Sequence, residues 1–400
     1  MGSAKLRAIA FVIFCILMIG GWFVYPHAPL SNTIGLTKPP TPTPTPYYHN
    51  VALLGYGGGS HEGGALTDSM IIAHIDDRAQ QISLVSVPRD IWIPLPLGKN
   101  GAPVSQKINA AYAYGLDDTT YPQKKSEYQY KNGGGGALAK YALSQVIGEP
   151  IDHVVAVSFQ TFTSLVDQLG GISITRDRPF VDEWYPIDGK EKELCDHKEE
   201  EIKDLVATLS GRLLEQEFPC RYEKLELSAG TQNLDGASAL KYARSRKSDT
   251  EGGDFYRSQH QKQVLEAIKS KALSINSFPS LVRVATSISQ YIDTDFALTD
   301  TPGLLKEYLR KKDYTIESVA LTLENVLDEG RGPQGQYILA PQYDDTKWSI
   351  VHEYLQERYA GLTEASSTAK LRKKYAPTAT PTHKVGEDST NSKSKNQSKE

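Results

Sequence analysis

From residue 50 onward, short runs of β-branched and aliphatic residues alternate with stretches whose apolar residues recur at helical spacing, the pattern of strands alternating with helices. Val51–Leu54 reads as a buried strand. The stretch Thr67 to Asp90, TDSMIIAHIDDRAQQISLVSVPRD, holds two β-branched and aliphatic runs, Ser69–Ile75 and Gln81–Val87. They flank a polar turn at Asp76–Ala79, which predicts a β-hairpin. A turn centred on Asp77-Arg78 sets Asp68 opposite Val87 and makes Arg89 its diagonal neighbour on the same face. A carboxylate and a guanidinium then meet at the open end of an apolar ribbon, either as a structural ion pair or as part of a site.

Further along, Ala137–Ile147 reads as a helix, Val154–Phe159 as a strand, Gln160–Leu169 as a helix capped by Gly170-Gly171, and Ile172–Thr175 as another strand. Residues 177–227 are charged and irregular, a surface excursion. A helix follows over 235–243 with Asp235 as N-cap, and Arg244 and Arg246 come at its end. Arginine there is favourable for the helix dipole alone. In the next helix, with Asp254 as a plausible N-cap, Val264, Ile268 and Ala272 form the apolar stripe, and Arg257 and Gln261 project onto that same stripe. An inward arginine costs free energy unless it meets an anion, either an internal carboxylate or a bound phosphate. Val282–Ile292, Thr315–Leu321 and a closing helix Trp348–Tyr359 continue the pattern. The alternation predicts an α/β fold, a three-layer α-β-α sandwich around a mixed central sheet.

The N-terminal region has a different composition. Residues 1–7 carry Lys5 and Arg7, and 8–25 form an uncharged apolar run at the lower edge of what spans a bilayer. A cleaved signal peptide is the rival reading. No small-x-small cleavage site follows, and Gly20-Gly21 is followed by the aromatic residues Trp22, Phe23 and Tyr25, which favours a retained transmembrane signal-anchor. Its basic flank puts the N-terminus in the cytoplasm and the main domain outside, at the cell membrane as a single-pass protein. Residues 26–48, with the run KPPTPTPTP, form a Pro/Thr-rich polyproline spacer. The folded part divides into a core over 49–276, with insertions at about 117–133 and 177–227, and a C-terminal α/β part of the same domain over 277–360. Residues 361–400 read as a disordered polar tail.

A net charge of −4 and the lack of a basic recognition helix argue against nucleic acid as a partner. Of the three cysteines, Cys195 and Cys220 fall in the exported part and could pair. The glycine-rich loop at 55–64 has neither Walker A nor G-x-G-x-x-G spacing. What remains is Asp68, Arg89, Asp90, Arg244, Arg246, Arg257 and Gln261. Several arginines with few carboxylates suit a di- or polyphosphate ester, because guanidinium forks match phosphate oxygens and one or two aspartates can hold magnesium.

These residues sit in an ordered series of motifs: L-L-G before T-D-S-M (67–70), S-V-P-R-D (86–90), K-I-N-A-A-Y (107–112), L-G-G-I (169–172), L-D-G-x-x-A-L-x-Y-A-R-S-R (234–246) and G-D-x-x-R-x-x-x-Q (253–261). Over roughly residues 50–275 the chain resembles the LytR-CpsA-Psr (LCP) family. The resemblance implies a membrane-anchored, magnesium-dependent phosphotransferase. It would move a secondary cell-wall glycopolymer, such as teichoic acid or capsular polysaccharide, from a polyprenyl-pyrophosphate carrier to a peptidoglycan sugar hydroxyl. Carried over by motif, Asp68 holds Mg2+, and Arg89, Arg244, Arg246, Arg257 and Gln261 bind the pyrophosphate. Asp90 orients an arginine or acts as base. Three positions depart from the family pattern: Tyr56 where many members have Asp, Ile93 where an arginine is frequent, and His260 in place of the arginine before the motif glutamine. His260 could still add charge when protonated. The alternatives are a lipid-diphosphate pyrophosphatase and a non-catalytic carrier- or wall-binding protein.

Overall fold

A computed structural model describes residues 48–59, 63–76, 78–273, 291–296, 314–343 and 347–375. The expected membrane segment at 8–25, the spacer up to residue 47, the tip of the glycine-rich loop at 60–62 and most of the run 282–292 lie outside the described residues. Among the described residues, no helix is long and apolar enough to cross a membrane.

The predicted hairpin is the centre of a six-stranded sheet. Strands β1 (Tyr48–Tyr56), β2 (Thr67–Asp76) and β3 (Gln81–Ser86) run antiparallel in sequence. After them come β4 (Trp92–Leu95) and β5 (Val104–Lys107), a small antiparallel pair, and the helices α1 (Ala110–Leu116) and α2 (Gly134–Ile147). Strand β6 (His153–Ser158) pairs parallel with β1, and α3 (Phe159–Gln168) leads to β7 (Ile172–Arg176). Then follow β8 (Phe180–Pro186), α4 (Glu199–Thr208), α5 (Gly211–Gln216), β9 (Tyr222–Leu227) and β10 (Gly230–Leu234). Helices α6 (Gly236–Arg244) and α7 (Gly253–Leu273) precede β11 (Ile292–Thr294) and β12 (Thr315–Ala320), the two edges of the large sheet. The hairpin β13 (Leu327–Arg331) and β14 (Tyr337–Pro341) and the helices α8 (Ser349–Tyr359) and α9 (Glu364–Tyr375) close the described chain. The sheet order is β11-β6-β1-β2-β3-β12, a mixed sheet in a mixed α/β fold.

Because strand side chains alternate between faces, the sheet feeds two separate cores. Leu54, Met70, Ile72 and Val85 face a cluster completed by Leu138 and Leu143 of α2 and by Tyr354 and Leu355 of α8. Val51, Ile71, Ile82 and Leu84 face the other way, toward Leu265 of α7. A third cluster joins α3, β7, α6 and α7 through Val166, Ile174, Ala239 and Val264. Crossing of α1 and α2 depends on glycine: a Cβ on Gly115 would stand 2.1 Å from the carbonyl oxygen of Gly134.

Three expectations change. The hairpin register differs by two residues, because the loop runs from Asp76 to Gln81 and is held by Asp76 Oδ1, which accepts from the amides of Arg78 and Ala79. Gln80 takes φ 51°, the left-handed conformation that completes the turn. Ile71 pairs with Ser86, so continuing the ladder brings Arg89 directly opposite Asp68, with no diagonal offset. Second, residues 177–227 are organised as the β8–β9 hairpin carrying α4 and α5, and Cys195 and Cys220 are joined by a disulfide. Third, part of the tail expected to be disordered is α9, whose Leu371 is buried against the α2–α8 core and whose Lys374 pairs with Glu353 of α8 at 2.6 Å. A few apolar positions at helical spacing suffice when a neighbouring helix supplies the surface.

Candidate functional site

The site begins where β2 and the segment after β3 lie side by side. Arg89 Nη1 donates to Asp68 Oδ1 at 2.7 Å, and Arg89 Nε lies 3.7 Å from Asp90 Oδ2. Lys107 Nζ donates to Asp90 Oδ1 at 2.6 Å. Burial alone would loosen the Arg89 proton, but the hydrogen bonds and charges of Asp68 and Asp90 outweigh it and raise its pKa above the ordinary value. Motif Lys107–Tyr112 is laced into this corner: Asn109 accepts from the amide of Thr67 at 3.0 Å and donates its own to the carbonyl of Arg89 at 3.4 Å.

Helices α6 and α7 supply the other half. Asp235 caps α6, accepting from the Ser238 amide at 2.7 Å. Helix α7 starts one residue before Asp254, so Asp254 stands in its first turn and not at its N-cap. It is shared by two guanidiniums, Arg257 at 3.0 Å and Arg246 in a close ion pair. The stripe projection holds: Arg257 and Gln261 are 7% and 8% exposed, beside Val264 and Ile268. Gln261 Nε2 donates to Ser69 Oγ of β2 at 3.2 Å, which brings the two halves together. Arg244 stacks over the Phe159 ring at 4.4 Å and lies 3.5 Å from Asp188.

Two atoms show what this arrangement lacks. Arg257 Nε and Gln261 Oε1 are buried without a hydrogen-bond partner among the described residues. Buried polar atoms are nearly always paired, so each of these is open to a partner that the described residues do not supply. A half-turn of the Gln261 amide lets its oxygen accept from the Ser69 hydroxyl and frees the NH2 as a second donor. Burial first, and the repulsion of Arg246 and Arg89 after it, lower the Arg257 pKa to about 10 despite Asp254 and Asp68. Positive charge is thus confined where an anion would relieve it.

Behind the arginines an apolar cavity of ≈ 210 Å³ opens between the sheet and the helices. Leu53, Ile71, Leu84, Val157, Phe162 and Leu265 line it, and Arg244, Gln261 and Ser69 stand on its wall. No sequence pattern located this cavity, since its walls come from strands and helices far apart in the chain.

The three departures from the family pattern fall differently. Tyr56 packs on Tyr112 with ring centroids 5.5 Å apart, and Tyr112 donates to Asp293 at 2.8 Å. Ile93 is fully buried in the core. His260 does not add charge to the site. It is 2% exposed, burial lowers its pKa, and its Nε2 lies 3.2 Å from Glu251 in a cluster separate from the Asp254 arginines. Lys107 is a cation that residue-type reasoning passed over, although it opens one of the quoted motifs. Among the described residues, no group of three or more His, Cys, Asp or Glu forms a metal cage. Asp68, one-third exposed and beside the cationic cluster, suits Mg2+, which binds through one or two carboxylates together with phosphate oxygens and water.

The chain is 25% identical over 291 residues to the polyisoprenyl-teichoic acid–peptidoglycan teichoic acid transferase TagV of Bacillus subtilis, covering 73% of this chain and 59% of that one. It is 26% identical over 242 residues to the corresponding transferase TagU of Enterococcus faecalis, covering 60% of this chain and 59% of that one. It therefore spans about three fifths of the length of these relatives. The fold is similar to the crystal structure of the protein gbs0355 from Streptococcus agalactiae, with a TM-score of 0.51 at 22% identity over 78% of this chain and 87% of that one. The LytR_cpsA_psr family model matches residues 44–347, which contain every site residue described above, and the protein belongs to that family.

Proposed function

We propose that the protein transfers a cell-wall glycopolymer from a polyprenyl-pyrophosphate carrier to a peptidoglycan hydroxyl. The observation that carries this reading is Arg257, a buried guanidinium with an unpartnered Nε, in a cluster whose Gln261 and Arg244 stand on the wall of an apolar cavity. A ligand that fills both has an anionic head and a long apolar tail. Arg89, Arg246 and Arg257, with Arg244 and Gln261, hold the two phosphates, and the cavity takes the first part of the lipid. Asp68 is the residue that would hold Mg2+, which offsets charge on the pyrophosphate oxygens when bound. Asp90, pinned between Lys107 and Arg89, keeps the Arg89 fork turned toward the phosphates.

In the reaction, a peptidoglycan sugar hydroxyl attacks the phosphorus that carries the polymer. The new P–O bond replaces the bridge to the second phosphorus, polyprenyl phosphate departs with the bridging electron pair, and the hydroxyl proton is released. Positioning and electrostatics are the main demands of such a step. Residues 8–25 would anchor the domain at the cell membrane by a single span with the N-terminus cytoplasmic. The helices on the two faces of the sheet would be the outer layers of a three-layer α-β-α sandwich.

The test uses the full chain in detergent with a synthetic polyprenyl-pyrophosphate oligosaccharide and peptidoglycan fragments, with and without magnesium. Magnesium-dependent release of polyprenyl phosphate with a glycan–phosphate–peptidoglycan adduct is expected. Arg89→Ala and Asp68→Asn should each abolish the adduct. Unchanged transfer in either variant would sink the assignment, and free polymer phosphate formed in the presence of acceptor would make the protein a pyrophosphatase.

A further inference from the structure

Arg244 and Arg246 are not fixed by a helix in the way that Arg257 is. They sit at the end of α6 and in the loop 245–252 that joins it to α7, and a loop alone leaves long side chains free to wander. Two buried carboxylates hold that loop. Asp182 of β8, 1% exposed, accepts from the Ser245 hydroxyl in a short hydrogen bond and from the Lys247 amide at 3.2 Å. Glu251, 6% exposed, accepts from Arg176 Nη2 through both oxygens, at 2.8 and 2.7 Å. Arg178 Nε at 3.1 Å and His260 Nε2 at 3.2 Å complete its shell. Arg176 also donates to the Tyr242 hydroxyl, which in turn donates to Gln263 at 2.5 Å. Between the two carboxylates the Gly253 amide donates to the carbonyl of Arg246 at 2.8 Å, closing the loop on itself.

A buried ion pair is a poor source of net stability, because desolvation offsets most of the attraction and apolar residues of the same volume do as well. What it does supply is direction: a bidentate carboxylate–guanidinium pair has one good geometry. Resting on the donor reading above, we propose that Glu251, with its partners Arg176 and His260, is a positioning residue that sets Arg246 against Arg257 to form the two-arginine grip on the pyrophosphate. Asp182 does the same from the Ser245 end of the loop. Arg176 ends β7, which pairs with β10, and Asp182 lies on β8, which pairs with β9, so the residues that hold this loop stand where the excursion 177–227 begins.

Inorganic pyrophosphate binding by the full chain in detergent is the direct probe, measured calorimetrically well below the thermal midpoint of each variant. The isosteric Glu251→Gln removes the charge that turns Arg176 and should weaken binding about tenfold, the lower end of what loss of a supporting partner costs a site. In an Arg246→Ala background the same change should have no further effect, because the residue it positions is gone. Unaltered affinity in Glu251→Gln with only a lowered midpoint, or an equal loss in both backgrounds, would overturn the proposal and leave Glu251 a structural residue. Should Glu251→Gln fail to fold, Ser245→Ala gives the same test through the Asp182 end of the loop. Wild-type protein that ignores pyrophosphate, or Arg257→Ala that binds it undiminished, would instead overturn the donor-site reading and the positioning role with it.

Discussion

Replacing Arg257 by methionine should make the protein more stable and unable to hold its donor. Burial, and the neighbouring Arg246 after it, push the guanidinium pKa down to about 10 on folding. A base whose pKa drops in the folded state holds its proton less tightly there. At neutral pH Arg257 is protonated folded and unfolded, so the whole difference, roughly 3 kcal/mol, opposes folding, and it is relieved only as pH rises past the folded value. Methionine fills the same volume without that cost. It forfeits the contact to Asp254, but Asp254 keeps Arg246 as partner. The net gain should be about 1–2 kcal/mol, a rise of roughly 2–8 °C in thermal midpoint for a domain of this size. Binding should move the other way: two charge-assisted hydrogen bonds to phosphate, each about 1.5–3 kcal/mol, are lost, at least a hundredfold in Kd. The assay is thermal unfolding of the full chain with and without inorganic pyrophosphate. Wild type should be stabilised by the anion, and Arg257→Met should start higher and not respond. A variant with a lower midpoint that still responds to pyrophosphate would refute the reasoning, for then the arginine is held for the fold and not for an anion.

Three other outcomes follow from the geometry. Ala73→Phe, projecting into the apolar cavity, should raise KM for a long-chain donor about tenfold while leaving pyrophosphate binding within twofold; equal effects on both ligands would show that the cavity does not hold the lipid. Gly115→Ala should cost about 3 kcal/mol or prevent folding, since its Cβ would meet the Gly134 carbonyl at 2.1 Å, and a midpoint within 2 °C of wild type in thermal unfolding would contradict the crossing. Cys195 and Cys220 close a loop with a sequence separation of 25, so replacing both by serine should lower stability by about 3 kcal/mol in denaturant unfolding, with no loss expected if that loop is already ordered in the unfolded chain.

Much of the site was legible because its residues break local rules. Arg257 and Gln261 stand on an apolar stripe, where a charge without a partner is expensive, and the periodicity alone was enough to single them out. Asp68 and Arg89 end two apolar runs joined by a short polar turn, so their meeting followed from hairpin pairing even though the register was two residues off. That error has a local cause: a side-chain-capped loop with Gln80 in the left-handed region cannot be told from a tighter turn by composition. Motifs carried the alternation of strands and helices and the family.

The fate of side chains whose partners lie far along the chain was decided only in three dimensions. His260 occupies a position that reads as a lost phosphate contact, yet the loop 245–252 brings Glu251 to it, and its ring is buried beside Phe180 and Tyr242. Glu251 looks like one more loop acid until Arg176, from a strand 75 residues away, meets it in the interior. Of the tail expected to be disordered, the stretch Glu364–Tyr375 is helical for the same reason, since α9 is weakly apolar by itself and is held by a surface that α8 provides. The cavity, too, exists only where β1, β2 and β6 pass under α3, α6 and α7. Sequence determines the period of each element and the residue types that sit uneasily in it, because both depend on neighbours within a turn or a strand. Which long-range partner satisfies a buried charge, and which is left open for a ligand, depends on how those elements pack.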